Sequence, residues 1–216
     1  MLDVNVEHNG VRVRTVRRRD AGHLDRELHD NRGWLVKWEA TLPGNSTPPP
    51  IRDTLRTLRA MARRNLVIPC VIEYEGRVVG QITVSGLSYG SLASGSMGYW
   101  VSESVAGTGI TPTAVALLSD WCFVQLGLHR IEIALRPENH ASYRVVQKLG
   151  FRYEGLRRNY IHIDGDWRDH VAFAVTADEV GFSGVLNRFL RGRANERLAE
   201  IPELDRVALR TPVART

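Results

Sequence analysis

The hydrophobic and polar residues of this chain alternate with two different periods, which divide it into strands and helices. Val11 to Val16 alternates valines with arginines, the pattern of a half-buried strand. Ile51 to Arg64 has apolar residues at the spacing of one helix face, and Asp20 is expected to cap an earlier helix. The same patterns predict further strands at 67–74, 78–84, 97–101, 131–135, from 151 onward and at 168–175, and helices at 20–29, 113–125 and 139–149.

Glycines and polar residues mark the turns between these elements. Glu75-Gly76 and Asp164-Gly165 each separate two strand patterns and predict hairpins. Residues 41–50 and 85–94, rich in small and polar residues, are predicted loops. Glycines that commonly end helices follow two helical patterns, at Gly127 and Gly150. The order of the elements predicts an α+β fold whose sheet is mostly antiparallel, with one parallel pair.

One strand-to-helix turn, Ser104 to Pro112, has the composition of a phosphate-binding loop. Gly107 and Gly109 let the backbone bend sharply and approach a ligand. Thr111 is predicted to cap the following helix, with Pro112 at its first position. Unpaired N–H groups and the positive end of the helix dipole then favour a phosphorylated cofactor. A Walker loop is excluded because no Gly-Lys-Ser/Thr follows, and the third glycine of a dinucleotide fingerprint is absent.

Length and composition indicate a globular chain: a domain over 1–180 and a basic extension over 181–216 that is partly helical or loosely ordered. No apolar run is long enough for a membrane span, and no secretory signal is evident. Cys70 and Cys122 lie among apolar neighbours, which indicates reduced core thiols and a cytoplasmic protein, although a disulfide between them stays open.

The formal net charge is +5, and Lys37 and Lys148 are the only lysines. The remaining basic residues are arginines, which we interpret mainly as a compositional bias of the coding genome, since no block is dense enough for a nucleic-acid arm. Attraction to phosphates, nucleic acid or ribosomes is the alternative. Histidines and cysteines lack ligand spacing, so no metal site is expected.

Three motifs, in their order and spacing along the chain, resemble those of the Gcn5-related N-acetyltransferases (GNAT). They are Gly107-x-Gly109, Asn139-His140-Ala141-Ser142 and Lys148-Leu149-Gly150-Phe151. The match is closest to the RimJ/RimL branch, which acetylates protein N-termini, notably of ribosomal proteins. The resemblance extends over about Val11 to Val175. It implies a central sheet of about seven strands with one splayed parallel pair and helices on both faces.

The resemblance also implies acetyl-CoA as the cofactor. The backbone of Trp100 and Val101 would pair with the pantetheine arm, Asn139 would hydrogen-bond it, and Ser142 would lie near the thioester sulfur. The family's first motif position holds a long side chain, which Ser104 lacks, while the backbone cradle remains. The residues that would surround the pyrophosphate are Val105, Ala106, Gly107, Thr108, Gly109, Ile110 and Thr111.

Acetyl transfer requires a neutral amine and a proton for the departing thiolate. Many relatives have a tyrosine where this chain has Val146, so Ser142 is the catalytic candidate as a hydrogen-bond donor or proton relay, ahead of Tyr143. Glu39 is the candidate to bind or deprotonate the amine, with His162 as an alternative. An α-amino group, with a pKa near 8, needs only a modest base.

Residues on the acceptor side are predicted from aromatic and charged side chains near these motifs: Trp34, Trp38, Glu39, Tyr99, Arg157 and His162. The expected activity is direct transfer of acetyl to the α-amino group of a protein N-terminus, with a ribosomal protein favoured. A small-amine acetyltransferase, for an antibiotic or polyamine, is the alternative enzyme. A non-catalytic module for acyl-CoA or ribosomal RNA is the other class. The chain is expected to be a monomer or homodimer with no membrane partner.

Overall fold

The computed structural model describes residues 2–44 and 48–210. The sheet contains β1 (Asn5–His8), β2 (Val11–Thr15), β3 (Ile68–Tyr74), β4 (Arg77–Ser88), β5 (Ser94–Val101), β6 (Arg130–Leu135), β7 (Arg152–Ile163) and β8 (Asp166–Thr176). The helices are α1 (Ala21–Asp30), α2 (Arg32–Leu35), α3 (Ile51–Arg63), α4 (Ile110–Leu126), α5 (His140–Leu149), α6 (Ala177–Val180), α7 (Gly184–Leu190) and α8 (Glu203–Arg210). Predictions for 45–47, in the expected loop, and for 211–216, in the expected extension, lie outside the described residues.

The strands form one sheet in the order β1-β2-β3-β4-β5-β6-β8-β7. Every neighbouring pair is antiparallel except β5 and β6, which confirms the predicted α+β fold with one parallel pair. The family resemblance implies about seven strands, and the described residues form eight. The additional strand is β1, a four-residue edge strand whose alternation is too short to stand out in the sequence.

The parallel pair separates after three residues. Ser94 pairs with Arg130, Gly95 with Ile131 and Ser96 with Glu132, and no further register partners join the two strands within the described chain. The rest of β5, from Met97 to Val101, pairs only with β4. The backbone groups on the open side of β5 therefore face a gap in the sheet, and this gap positions the candidate site.

Helices cover both faces of the sheet, as the family resemblance implies. On one face, α4, α5 and α7 contribute Leu118, Val146 and Val185 to the larger hydrophobic core. On the other face, Leu24 of α1 and Leu55 of α3 pack with Val71 of β3 in a smaller cluster. The two layers keep the gap between β5 and β6 accessible from its ends, where α4 and α5 begin.

The alternation in β2 would place Arg14 on the solvent side of a half-buried strand, but Arg14 is 5% exposed. Its guanidinium donates to the two Asp20 carboxylate oxygens at 2.8 and 2.9 Å and to Glu73 at 2.8 Å. Asp20 precedes α1 as predicted but does not cap it through its side chain, which instead accepts from the Arg17 backbone N–H at 2.6 Å. A buried ion pair therefore anchors the start of α1 to β2.

Two further boundaries differ from the sequence prediction. The expected loop at 85–94 is shortened to residues 89–93, because β4 continues to Ser88 and β5 already begins at Ser94. Gly127 and Gly150 do end α4 and α5, each with a positive φ, which confirms that prediction. None of the described helices is both long and apolar enough to cross a membrane.

The described part of the segment after residue 180 packs on the core. The Asp120 carboxylate of α4 accepts the backbone N–H groups of Val185 and Leu186 at 2.6 and 3.0 Å. The Tyr143 hydroxyl donates to the carbonyl of Ala199, which is buried. Whether 181–216 is a separate extension of the domain stays a prediction.

Candidate functional site

A cleft of about 340 Å³ lies where β5 and β6 separate. Its walls come from β5, the turn before α4, the start of α5 and the segment that contains α2. The structure thus brings most of the predicted cofactor residues together. Those that line the cleft are Trp100, Val101, Ala106, Gly107, Gly109, Thr111, Asn139 and Ser142. Val105, Thr108 and Ile110 belong to the same turn but are not among the lining residues.

The glycine turn is bent as its sequence predicts. Gly107 and Gly109 have φ values of +80° and +93°, in the left-handed region that L side chains rarely adopt. A Cβ added at either position would meet open space, so backbone conformation and not crowding requires glycine. The bend therefore faces the open cleft.

The prediction that Thr111 caps α4 is wrong. The helix begins at Ile110, and Gly109 is the residue before it, so Thr111 and Pro112 are the second and third helical residues. Pro112 is tolerated there because first-turn N–H groups have no partner within the helix. Thr111 lines the cleft instead of capping the helix.

The backbone N–H groups of residues 107 to 111 donate a hydrogen bond to no acceptor in the part of the chain that is described. They are followed by a 17-residue helix whose dipole places partial positive charge at the same point. Unpaired donors beside a helix N-terminus suit the negatively charged oxygens of a diphosphate. The residues present thus fit the phosphate groups of coenzyme A.

Two cations at the rim were not singled out from the sequence as site residues. Arg144 and Lys148 lie four residues apart on α5 and both line the cleft. Their helical spacing on the motif that contains Ser142 is the signal that would have identified them. They add positive charge to a cleft that already offers N–H donors to an anion, with Arg144 also paired to Glu196 at 3.3 Å.

Asn139 and Ser142 are held by the start of α5. Asn139 is the residue before the helix, and its side-chain oxygen accepts the Ser142 backbone N–H at 3.0 Å. This capping bond fixes Ser142 in the first turn with its hydroxyl directed to β5. The sequence predicted both residues at the site, although not that one would orient the other.

The Tyr99 hydroxyl lies 2.7 Å from the Ser142 hydroxyl, and either oxygen can donate. Burial raises the pKa of Tyr99 well above its usual value, and the bond to Ser142 opposes this only in part. Tyr99 therefore stays protonated across the neutral range. The sequence placed Tyr99 among the acceptor aromatics and did not pair it with Ser142, because 43 residues separate them.

Tyr143 is directed away from the cleft, as expected for the neighbour of Ser142 on a helix. Its ring packs on Phe173 with centroids 5.8 Å apart, and its hydroxyl donates to Ala199. Ser142 thus lies in the cleft beside Tyr99, whereas Tyr143 stabilises the core.

A second, larger cleft of about 770 Å³ adjoins the first. Leu35, Trp38, Tyr99 and Trp100 line both clefts and form a shared wall. Trp34 lines only the first cleft, although it was predicted on the acceptor side. The Trp38 ring is flanked by Lys37 and Arg136, with cation-to-centroid distances of 5.2 and 5.4 Å.

Glu39 lines the second cleft and forms an ion pair with Arg32 at 2.5 Å. Its side chain is 23% exposed, so the carboxylate is partly accessible from the cleft. Asp25 is the other carboxylate residue of this lining, and His29 and Arg32 are its basic residues. The charge of the cleft is therefore mixed and not strongly acidic.

Arg157 and His162 line neither cleft. The Arg157 guanidinium binds the Glu132 carboxylate at 2.5 Å and the Tyr160 hydroxyl at 2.9 Å. His162 Nδ1 lies 2.6 Å from the Thr41 hydroxyl, and the ring packs edge-on against Trp167. Both side chains join segments of the fold, and this geometry gives no support to their predicted contact with the acceptor.

Comparison with known proteins gives a consistent result. A model described as an acetyltransferase (GNAT) domain matches residues 11–152. A solved structure of Mycobacterium smegmatis RimJ in complex with CoA-disulfide is 36% identical, has a TM-score of 0.79, and the match covers 89% of this chain and 95% of that one.

Two curated relatives are also similar. The ribosomal protein uS5-alanine N-acetyltransferase of Escherichia coli (strain K12) is 27% identical over 180 residues, which are 77% of this chain and 88% of that protein. The probable N-acetyltransferase YjcK of Bacillus subtilis (strain 168) is 37% identical over 101 residues. That match covers 47% of this chain and only 56% of the relative.

Proposed function

This chain belongs to the GNAT acetyltransferase family, and on that premise we propose that it transfers acetyl from acetyl-CoA to the α-amino group of a protein N-terminus. A ribosomal protein is the proposed acceptor, by similarity to the RimJ and uS5-alanine relatives. Such an acceptor places the reaction in the cytoplasm. The observation that carries the proposal is the wall that the two clefts share, in which Tyr99 lies with its hydroxyl 2.7 Å from the hydroxyl of Ser142 in the first cleft.

The first cleft has the properties needed to hold acetyl-CoA. The free N–H groups of residues 107 to 111 would bind the pyrophosphate, with Arg144 and Lys148 at the rim. The unpaired side of β5 at Trp100 and Val101 would hydrogen-bond the pantetheine arm as an added strand does. When bound, acetyl-CoA supplies the thioester carbonyl that the amine attacks.

Tyr99 and Ser142 would provide the proton for the departing sulfur. Ser142 is held in place by the Asn139 cap, and its hydroxyl can pass a proton on from the Tyr99 hydroxyl. The raised pKa of Tyr99 keeps this proton available at neutral pH. Val146, at the position of the family tyrosine, is buried and has no proton to donate, so this pair would take the part of that tyrosine.

Direct transfer is favoured over an acyl-cysteine route. Cys70 and Cys122 are both free and buried in the core. Burial raises the pKa of Cys122 to about 12, and that of Cys70 well above its usual value. Neither thiol is then ionised or accessible at neutral pH, so neither can serve as the nucleophile.

On the acceptor side, Glu39 would attract the incoming ammonium group. Because the pKa of an α-amino group is near 8, this group can lose its proton to water and needs no strong base. The second cleft is lined by Trp38, Trp100 and Pro48 to Ile51 together with polar side chains. An open, mixed-charge cleft suits the first residues of a peptide better than a polycation, which requires several carboxylates. The small-amine alternative is disfavoured for this reason.

The test compares acceptors under one set of conditions. Release of coenzyme A thiol is measured with a peptide that begins with alanine or serine, with the same peptide blocked at its α-amino group, and with polyamines and aminoglycosides. We expect turnover with the free peptide only. Turnover with the small amines and not with the peptide would reject the proposed acceptor, and acetyl-CoA binding without turnover of any acceptor would reject catalysis.

A further inference from the structure

A second basic surface lies away from the first cleft, which is the proposed cofactor cleft. It is a groove of about 700 Å³ that runs along α3 beside the start of α1. We call it the arginine groove. Six arginines line it, with Asp53 as the one carboxylate residue of the lining: Arg18, Arg19, Arg52, Arg56, Arg59 and Arg63. They come from two segments that are separated by more than thirty residues of sequence. The sequence showed no dense basic block for this reason.

The arginines of α3 form a continuous stripe. Positions 52, 56, 59 and 63 recur every three or four residues, which places them on one face of the helix. The stripe extends over about 16 Å at 1.5 Å per residue. The adjacent face of α3 is buried through Leu55 and Ala62, at 2% and 3% exposure. The charged face is therefore fixed in position and not free to rotate into the core.

Most of these charges are not neutralised by the protein. Arg56 pairs with Asp53 at 3.1 Å, and Arg59 donates to the Val16 carbonyl at 3.4 Å. Across residues 2–44 and 48–210, the guanidinium groups of Arg18, Arg19, Arg52 and Arg63 form no ion pair. Like charges in a groove repel one another unless an anion occupies it.

A neighbouring cavity provides the contrast. It is lined by Arg14, Arg19, Arg26 and Arg77, and of these Arg14 is bound by both Asp20 and Glu73. That cavity holds three carboxylate residues, whereas the arginine groove holds one. Carboxylates thus neutralise Arg14, which holds the fold together, whereas the arginine groove offers only Asp53 to six arginines.

The arginine groove is next to the second cleft, which is the proposed acceptor cleft. Ile51 and Thr54 of α3 line the acceptor cleft, while Arg52 and Arg56 of the same helical turns line the arginine groove. A partner whose N-terminus enters the acceptor cleft therefore brings its surroundings close to the arginines. If the acceptor belongs to a ribosomal particle, those surroundings include RNA.

We propose that the arginine groove binds the phosphodiester backbone of RNA that accompanies the acceptor protein, and this inference rests on the proposed function. A linear stripe of several guanidinium groups matches a chain of phosphates better than a single phosphate ion. Arginine is suited to this role because its planar fork binds phosphate oxygens in pairs. A membrane surface fits less well, because the apolar face of α3 is buried and cannot insert between lipids.

The test uses the full chain and a fluorescein-labelled single-stranded RNA of about 20 nucleotides. The groove variant combines Arg52→Gln, Arg56→Gln and Arg63→Gln. Its matched control combines Arg191→Gln, Arg193→Gln and Arg197→Gln. These three arginines are exposed, and replacing them removes the same charge. Binding is measured by fluorescence anisotropy from about 50 to about 200 mM sodium chloride, and thermal melting checks that both variants fold.

We expect the slope of log affinity against log salt to become shallower by about 2 in the groove variant, since each single-strand phosphate contact contributes about 0.7. The control should keep the slope of the parent. Equal RNA binding by the two variants would overturn the inference, as would tighter binding of the parent to phosphatidylserine vesicles than to RNA.

Acetylation of the free peptide separates this inference from the proposed function. Both variants should acetylate the peptide at the rate of the parent, because no substituted residue lines the cofactor or acceptor cleft. A parent that binds RNA through the arginine groove but does not acetylate the peptide contradicts the proposed function alone. A parent that acetylates the peptide but binds RNA independently of the groove contradicts this inference alone.

Discussion

The cofactor cleft and the acceptor cleft share a wall but are built in different ways. The part of the cofactor cleft that is proposed to bind phosphate is one continuous turn at the start of α4, and the groups it offers are main-chain N–H donors. The acceptor cleft is assembled from side chains of α1, α2, α3, β4 and β5 and the loop before α3. A continuous backbone feature tolerates changes of side chain, whereas an assembled surface changes with each of its segments. Cofactor use is therefore expected to vary less than acceptor choice among similar chains.

The largest expected effect is at the junction of the two clefts. Tyr99→Phe removes the hydroxyl that bonds to Ser142 but keeps the ring that lines both clefts. We expect kcat for the peptide to fall about 100-fold, the lower range for loss of general acid catalysis, with little change in acetyl-CoA affinity. Steady-state kinetics and calorimetric titration measure the two quantities.

Ser142→Ala and the double variant complete this test. If Tyr99 acts through Ser142, the double variant should be no slower than the slower single variant. Tyr143→Phe is the matched control, because that hydroxyl donates to Ala199 in the core. Multiplicative losses in the double variant would contradict a relay.

The pH profile gives a second check on the same pair. The Tyr99 hydroxyl must be protonated to donate, and burial raises its pKa above the usual value near 10. The rate should therefore rise through the α-amino pKa near 8 and show no decline up to about pH 10. A decline beginning near neutral pH would indicate a different acid.

The second prediction concerns the continuous half of the site. Substituting alanine at both Gly107 and Gly109 places L side chains at φ values of +80° and +93°, which costs about 1–2 kcal/mol per residue. If the turn relaxes to avoid this strain, its N–H groups no longer converge, and we expect the dissociation constant of coenzyme A to rise about tenfold.

The matched control for the glycine turn is the double alanine variant at Gly86 and Gly90, with φ values of +60° and +72° in the region of the β4–β5 hairpin. It introduces comparable strain away from the cofactor cleft. Calorimetric titration with coenzyme A should show the affinity of the parent for this control. Equal loss of affinity in both variants would mean that general destabilisation, and not the turn, is responsible.

The difference between the two clefts also explains which features of the site could be predicted from the sequence. The glycine turn and the Asn139–Ser142 segment could be predicted because each depends on residues close together in the chain, and the parallel pair could be predicted from the order of the elements. The pairing of Tyr99 with Ser142 could not, because it depends on how β5 meets α5. The ends of α4 were predicted only in part, since Gly109 and not Thr111 precedes the helix.

Long-range pairing likewise hid the roles of several charged residues. Arg14 has the spacing of a solvent-facing strand residue, yet Asp20 and Glu73 neutralise it in the interior. From the sequence Arg157 is predicted to contact the acceptor, yet in the structure Glu132 and Tyr160 bind its guanidinium. The arginine groove shows the reverse, because unpaired arginines from separate segments are collected only by the packing of α1 on α3.

The smallest expected effect is in the assembled half of the site. Glu39 is partly exposed and already paired with Arg32, so its attraction for an ammonium group is screened. Glu39→Gln should raise KM for the peptide about threefold at pH 7, corresponding to the usual value of an exposed ion pair, and leave coenzyme A affinity unchanged. Glu200→Gln, which removes an exposed carboxylate paired with Arg206, is the control.

The pH dependence of that effect distinguishes binding from base catalysis. Above about pH 9 the α-amino group is mostly neutral, so a residue that only attracts its charge loses its influence, and the KM of the Glu39→Gln variant should approach that of the parent. A residue that removes the proton would instead lower kcat most at pH 7, where the amine is charged. An unchanged KM with a reduced kcat would therefore show that Glu39 acts in catalysis and not in acceptor binding. The assembled cleft would then supply a base to the reaction as well as a binding surface.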